Sequence, residues 1–211
     1  MVAIPVGDAF TLEGEVTLRD GAPAALVCHP HPAFGGRLDT PFVVALADAL
    51  AHAGLSTVRF NFRGLGGSGG KATGGLAEQD DVRAVATWLR AQGAPKLAFV
   101  GYSFGALMAM KAIAHGERAD AYAAVGFPTT IIGDDPVRTA DVDRALATRI
   151  PWLFLNGDAD PFCELPRVRS WSLGNPSVKL DVLPGAGHFF AGPLATTLAE
   201  RVATFVATAL T

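Results

Sequence analysis

The chain is poor in cysteine: only Cys28 and Cys163 occur in 211 residues. Two thiols in a chain this long make no disulfide framework, and their number fits a reducing compartment. Blocks of like charge are also missing. The formal net charge is -3, and without a basic patch or stripe no nucleic-acid partner is expected. No apolar run is long enough to span a bilayer, so no membrane partner is expected either. The first residues, Met1-Val2-Ala3-Ile4-Pro5-Val6-Gly7-Asp8, hold no basic segment followed by a long apolar one, and do not read as a secretory signal. What remains is a cytoplasmic protein, with residues 1–211 as one domain and an oligomeric state that the sequence leaves open.

Hydrophobic residues are abundant, making up 50% of the chain, ample for a packed core. They fall into alternating patterns. Glu15 to Arg19 alternates polar and apolar, as an antiparallel edge strand does. Continuous apolar runs at Ala24–Cys28, Leu97–Val100, Ala121–Val125 and Trp152–Leu155 read as buried strands, and Leu55–Phe60 reads as a further strand between the first two. Val178 to Leu183 reads as the last strand. Between them, helical patterns cover Asp39–Ala53, Glu78–Gln92, Ser103–His115 and Leu194–Leu210, several stopped by glycine. Asp134 to Arg149 is polar and reads as a further helix, too short for a second domain or a large lid. Strands alternating with helices predict an α/β fold: a mostly parallel sheet with helices on both faces.

One joint stands out. The apolar run before Gly101-Tyr102-Ser103-Phe104-Gly105 leads at once into a helix-forming run. Strand, Gly-x-Ser-x-Gly and helix is the layout of a nucleophile elbow, in which a strained turn lifts a serine clear of the sheet. The flanking glycines leave room for strand and helix to pass closely. The pentapeptide alone arises by accident in roughly one chain in ten to twenty of this length, so its company decides.

A serine hydroxyl needs a base, and the base needs an orienting acid. Two groups qualify, each just past a predicted strand, at the sheet edge where open α/β sheets place ligands. Gly185-Ala186-Gly187-His188 supplies a base in His188. Asn156-Gly157-Asp158-Ala159-Asp160-Pro161 supplies an acid in Asp158 or Asp160, with Glu164 a distant third. An oxyanion needs two backbone donors. Phe104, which follows the serine, gives one. The other comes from the loop after Cys28, where Pro30 and Pro32 have no N–H to give and His31, Ala33 and Phe34 remain. His52 and His115, on predicted helices, read as structural or surface residues.

Two other patterns invite different chemistry. His29-x-His31 could ligate a metal, but no third ligand follows at a recognisable spacing. These rings read instead as hydrogen-bonding the loop into shape. Gly64-Leu65-Gly66-Gly67-Ser68-Gly69 matches a dinucleotide fingerprint, yet more loop follows it where a helix should open. It reads as a run letting the chain pass close under the active site. Neither a metal nor a cofactor is expected. Phenylalanines gather in the loops of the same edge: Phe34, Phe62, Phe104, Phe127, Phe162, Phe189 and Phe190. Phe34, Phe127, Phe162 and Phe189 are the candidates for a substrate pocket.

Over essentially its whole length the chain resembles the α/β-hydrolases, most of all the small, lidless bacterial ones of carboxylesterase and dienelactone-hydrolase-like type. The closest subgroup carries His-Pro-His-Pro-x-x-Gly-Gly, here His29 to Gly36, and Asn-Phe-Arg-Gly-x-Gly-x-Ser, here Asn61 to Ser68. Many members place Asp where this chain has Asn61. The resemblance implies an α/β-hydrolase fold without a large cap and a Ser103–His188–Asp160 triad, since the family's acid closes a Gly-x-x-Asp pattern that Gly157 to Asp160 fits. It also implies His31 as the second oxyanion donor. The implied partner is a small-molecule ester, cleaved through an acyl-enzyme. A thioesterase, dienelactone hydrolase or perhydrolase on the same residues, or a non-enzymatic binding protein, stand as alternatives.

Overall fold

The computed structural model describes residues 1–131 and 136–211. Its strands are β1 (Val2–Val6), β2 (Phe10–Thr17), β3 (Ala24–Cys28), β4 (Ser56–Phe60), β5 (Leu97–Tyr102), β6 (Ala121–Val125), β7 (Trp152–Gly157) and β8 (Val178–Leu183). They form one sheet in the order β1-β2-β4-β3-β5-β6-β7-β8. The β1–β2 and β2–β4 pairings are antiparallel. From β4 across to β8 every pairing is parallel. The helices are α1 (Pro41–His52), α2 (Glu78–Ala91), α3 (Phe104–Ala114), α4 (Pro136–Leu146), α5 (Leu165–Gly174) and α6 (Gly192–Leu210).

The central strands β3, β5, β6 and β7 are buried at every residue, which is why they read as unbroken apolar runs. The pleat sends neighbours to opposite sides. Leu26, Phe99 and Phe154 enter a core shared with α2 and α3. Val27, Val100 and Leu155 enter a second core, under α1 and α6. Each such side chain contributes roughly 1.5–3 kcal/mol of burial. The chain leaves β3 toward β4 and later returns to β5 on the other side of β3. Strand order therefore reverses at β3 and β5, and a crevice opens beyond their C-terminal ends.

Several expectations shift. β1 has no clear sequence pattern because Pro5 interrupts it; as an outermost strand, β1 tolerates a residue without an N–H. β2 is longer than Glu15–Arg19 suggests. Helix α5 carried no apolar period because Val168 is its one buried residue. The helix expected over Asp134–Arg149 runs from Pro136 to Leu146; Asp134 and Asp135 lie outside the described residues. The glycine run does not pass under the crevice. It folds onto β2: Gly69 N–H donates to the Thr11 carbonyl, and a Cβ at Gly66 would stand 2.5 Å from Glu13 Oε2. Glu13 accepts from Gly67 N–H and from the Asn61 amide, and the Gly67 bond, more than any other influence, pulls its pKa down. Asn61 also accepts from Leu38 N–H. An amide suits this place because it must donate to a carboxylate.

Candidate active site

Ser103 sits at the end of β5 with φ 54° and ψ -118°. A non-glycine residue in this region carries strain of order 1–3 kcal/mol. The turn is held by a bond from Ser103 N–H to the Val125 carbonyl at 2.9 Å. Both elbow glycines are needed for close approach. A Cβ at Gly101 would lie 2.4 Å from Ala106 Cα, in the first turns of α3, and one at Gly105 would lie 2.4 Å from the Cys28 carbonyl oxygen. The second contact presses the N-terminus of α3 onto the end of β3.

His188 follows β8 on a loop that folds over the end of β7. Gly157 permits this: a Cβ there would sit 1.9 Å from the Ala186 carbonyl oxygen. His188 Nε2 lies 2.9 Å from Ser103 Oγ, and His188 Nδ1 lies 2.8 Å from Asp160 Oδ2. Ser103, His188 and Asp160 are 8%, 6% and 6% exposed. With Nδ1–H donating to the carboxylate, Nε2 is free to accept the serine proton. Asp160 is fixed in turn, its Oδ1 accepting from Phe162 N–H at 2.8 Å. Asp158 does other work: it accepts from Gly185 N–H at 2.6 Å and so ties the β7 end to the His188 loop. Glu164 lies at the start of α5, with its N–H on Thr129 Oγ1.

The loop after β3 forms a short 3-10 turn, Pro32–Phe34. His31 Nδ1 accepts from Ala33 N–H, and the His31 carbonyl accepts from Phe34 N–H. Ala33 and Phe34 are thereby committed to the turn. Among the described residues, the N–H groups of His31 and Phe104 have no protein acceptor. Their rings meet edge-on at 4.7 Å, so these two residues are neighbours beside Ser103. His29 is fully buried. Its Nδ1 donates to the Pro30 carbonyl at 2.7 Å and its Nε2 accepts from Phe62 N–H at 3.2 Å. Burial pushes its pKa down to about 4, so the ring is neutral at neutral pH. Both nitrogens are engaged, and neither has a lone pair left for a metal.

A cavity of about 450 Å³ opens over Ser103 and His188. Phe34, Phe162 and Phe189 line it, as do His31 and Phe104, and it runs on between α1 and α6 past Phe42, Ala45, Phe190 and Ala195. Among the described residues, no Asp, Glu, Lys or Arg lines it. Phe34 and Phe189 stand at its mouth, 75% and 74% exposed. Phe127 does not belong there. It is fully buried in the core, edge-on to Phe154 at 5.4 Å and Trp171 at 5.7 Å. Gly126, at φ 59°, turns the chain after β6, and Pro128 rather than Phe127 reaches the cavity.

Tyr102 also supports the site, although its place there is not evident from the sequence. Its hydroxyl donates to the His188 carbonyl at 2.9 Å, and burial raises its pKa to about 12, which keeps the proton on oxygen. Its signal was a phenol ending an otherwise apolar, fully buried strand, where a polar tip needs a partner. The same holds for Gly126: a Cβ there would stand 3.2 Å from His188 Cε1.

Known proteins share this fold. The family described as alpha/beta hydrolase domain matches residues 23–207. An uncharacterized protein of Rickettsia prowazekii is 32% identical over 177 residues, 80% of this chain and 72% of that protein. The structure of an alpha-beta serine hydrolase homologue from Coxiella burnetii superposes with a TM-score of 0.78 at 31% identity, covering 95% of each chain. A lidless serine hydrolase from Xanthomonas campestris superposes with a TM-score of 0.77 at 30% identity, covering 99% of this chain and 94% of its own. Among the described residues no helix is long and apolar enough to cross a membrane.

Proposed function

The chain belongs to the alpha/beta hydrolase domain family, and from that premise we propose that it is a serine hydrolase cleaving small, uncharged carboxylic esters through an acyl-enzyme. The observation that carries this reading is the unbroken line Ser103 Oγ, His188 Nε2, His188 Nδ1, Asp160 Oδ2, with links of 2.9 and 2.8 Å. Ser103 Oγ attacks the acyl carbon as its proton passes to His188 Nε2. Asp160 stabilises the resulting imidazolium and holds its tautomer. The carbonyl oxygen, now negative, takes the N–H groups of Phe104 and His31. The C–O bond to the alcohol breaks, and the alcohol leaves with the proton from His188. Water then repeats the sequence on the acyl-serine, with His188 as base, and releases the acid. No cofactor enters any step.

The substrate class follows from the cavity. Burying an unpaired charge costs far more than burying apolar surface, and the described lining residues offer no Asp, Glu, Lys or Arg to pair with one. A neutral acyl group and a neutral alcohol suit it. A dienelactone carries a carboxylate and would find no lysine or arginine among the described lining residues, which favours the ester reading over that alternative. The two unpaired thiols, with Cys28 fully buried, support a place in the reducing cytoplasm.

A fluorophosphonate probe tests the reading. It should label Ser103, identified by mass spectrometry of the tryptic peptide, and the label should vanish in Ser103→Ala. Failure to label would return the chain to the class of binding proteins on a hydrolase scaffold. A series of p-nitrophenyl esters, with thioester and lactone controls, then sets the leaving group.

A further inference from the structure

We propose that His29 is a positioning residue for this reaction: by holding the Pro30 carbonyl it aims the His31 N–H at the oxyanion. The role presupposes that Ser103 is acylated as described above. The peptide joining Pro30 to His31 is trans, since the described residues contain no cis bond. In a trans peptide the C=O and N–H point in opposite directions. Fixing where the oxygen points therefore fixes where the N–H points.

The Pro30 oxygen is held from two sides. His29 Nδ1 donates to it at 2.7 Å. Gly36 lies so near that a Cβ there would stand 2.0 Å from it. The His29 ring cannot turn away without losing a second bond, because Phe62 N–H donates to Nε2 at 3.2 Å. That bond also leaves Nδ1 as the protonated nitrogen, the one facing Pro30. Phe62 packs edge-on against the ring at 4.8 Å. On the next peptide, the His31 carbonyl accepts from both Phe34 and Gly36 N–H. The His31 N–H thus faces away from the His29 ring, and it is left without a protein acceptor at a residue that lines the cavity with Ser103. A flip of this one peptide would replace a donor with a carbonyl oxygen at the site of developing negative charge. The ring blocks that flip, and being neutral it does so without adding charge of its own.

Two near-isosteric variants separate positioning from plain support. His29→Gln keeps an acceptor for Phe62 N–H but places no donor where Nδ1 was. His29→Asn places an amide N–H where Nδ1 was but gives Phe62 no acceptor. Each variant deletes one buried hydrogen bond, so mere support would be damaged equally by both. Positioning predicts that His29→Gln lowers kcat by about tenfold to a hundredfold with KM changed less than about twofold, a part of what losing an oxyanion donor costs. It also predicts that His29→Asn recovers most of that loss. Equal losses in the two variants, or a loss confined to KM, would overturn the role. Nitrogen-15 spectra of the wild-type ring give an answer even if both variants misfold. They should show Nδ1 protonated and Nε2 bare at neutral pH, and the opposite tautomer would overturn the role. Fluorophosphonate labelling of wild-type Ser103 keeps the two readings apart. Without labelling, the hydrolase reading falls and this role with it. With labelling and no difference between the variants, only the role of His29 falls.

Discussion

The Tyr102 hydroxyl holds the backbone carbonyl of His188 at 2.9 Å, so the residue just before the proposed nucleophile anchors the residue proposed to deprotonate it. The anchor acts on the loop rather than on the reacting atoms. A hydrogen bond of this kind is worth about 0.5–1.5 kcal/mol net. Tyr102→Phe keeps the ring contacts with Phe42 and Phe190 and should lower kcat between about twofold and tenfold, with KM little changed. Steady-state kinetics on a p-nitrophenyl ester would check it. A variant as fast as wild type would mean that packing alone fixes the His188 loop.

Ser103→Ala should reduce ester hydrolysis by at least about a thousandfold, in line with what removal of a nucleophile costs in such sites. The fold should persist, because the Ser103 N–H bond to Val125 and the elbow glycines are untouched. Residual activity above a tenth of wild type, in protein with an unchanged circular dichroism spectrum, would remove Ser103 from the mechanism.

The two aspartates should separate sharply. Asp160→Asn removes the charge that fixes the His188 tautomer and should cost turnover by orders of magnitude. Asp158 accepts a bond from Gly185 N–H, a task an asparagine oxygen can still perform. Asp158→Asn should therefore stay within about threefold of wild-type kcat, a bound set by the modest worth of one neutral hydrogen bond. Reversal of this order would move the acid to Asp158.

His29 should make stability depend on pH. Burial holds its folded pKa at about 4, below the ordinary histidine value of about 6.5. Between those two values the unfolded chain binds the proton more readily than the folded one. The contribution is complete above the unfolded value and fades as pH falls toward the folded one, a loss of about 3 kcal/mol. Urea midpoints of the wild type and of His29→Asn, measured from neutral to mildly acid pH, should converge as the solution is acidified. Parallel curves would show that the ring titrates normally in the folded state.

Substrate size should follow the cavity. α4 is the one helix described between β6 and β7, and Phe34 and Phe189 at the mouth are largely exposed. Each methylene buried adds about 0.8 kcal/mol, so rates should rise over the first few acyl carbons and then level off. Ala45→Phe, which fills the cavity where it runs between α1 and α6, should shift that plateau to shorter chains. Interfacial activation should be absent. A jump in rate at the solubility limit of the substrate, or a clear optimum at long chains, would contradict the open site.

Much of this was legible in the chain because the sheet is buried on both faces. β3 and β6 run as expected, β5 and β7 run two residues further, through Tyr102 and through Asn156-Gly157, and the groups bearing Ser103, Asp160 and His188 each follow a strand that could be read. The preference for Asp160 over Asp158 rested on family spacing, and the geometry gives it a reason, since Asp158 is turned to the Gly185 peptide. What the chain hid depends on direction in space. Whether a phenylalanine in a loop faces a cavity or the core is set by the backbone turn before it, and Gly126 sends Phe127 inward. The glycine run read as a passage under the site because glycine announces close approach without naming the neighbour, which proved to be β2. Tyr102 signals that its hydroxyl needs a partner but not which one, because that partner is a carbonyl far along the chain.

The backbone of Ser103 has a bearing on how such a protein can change. At φ 54° and ψ -118° the residue that would carry the reaction is held where glycine would rest more easily. Relaxing that strain would make the molecule sturdier and inert in the same step. Selection for heat resistance alone would thus have an easy road to a silent scaffold, and a lineage or a library can be trusted to keep this serine only while something is asking for the reaction.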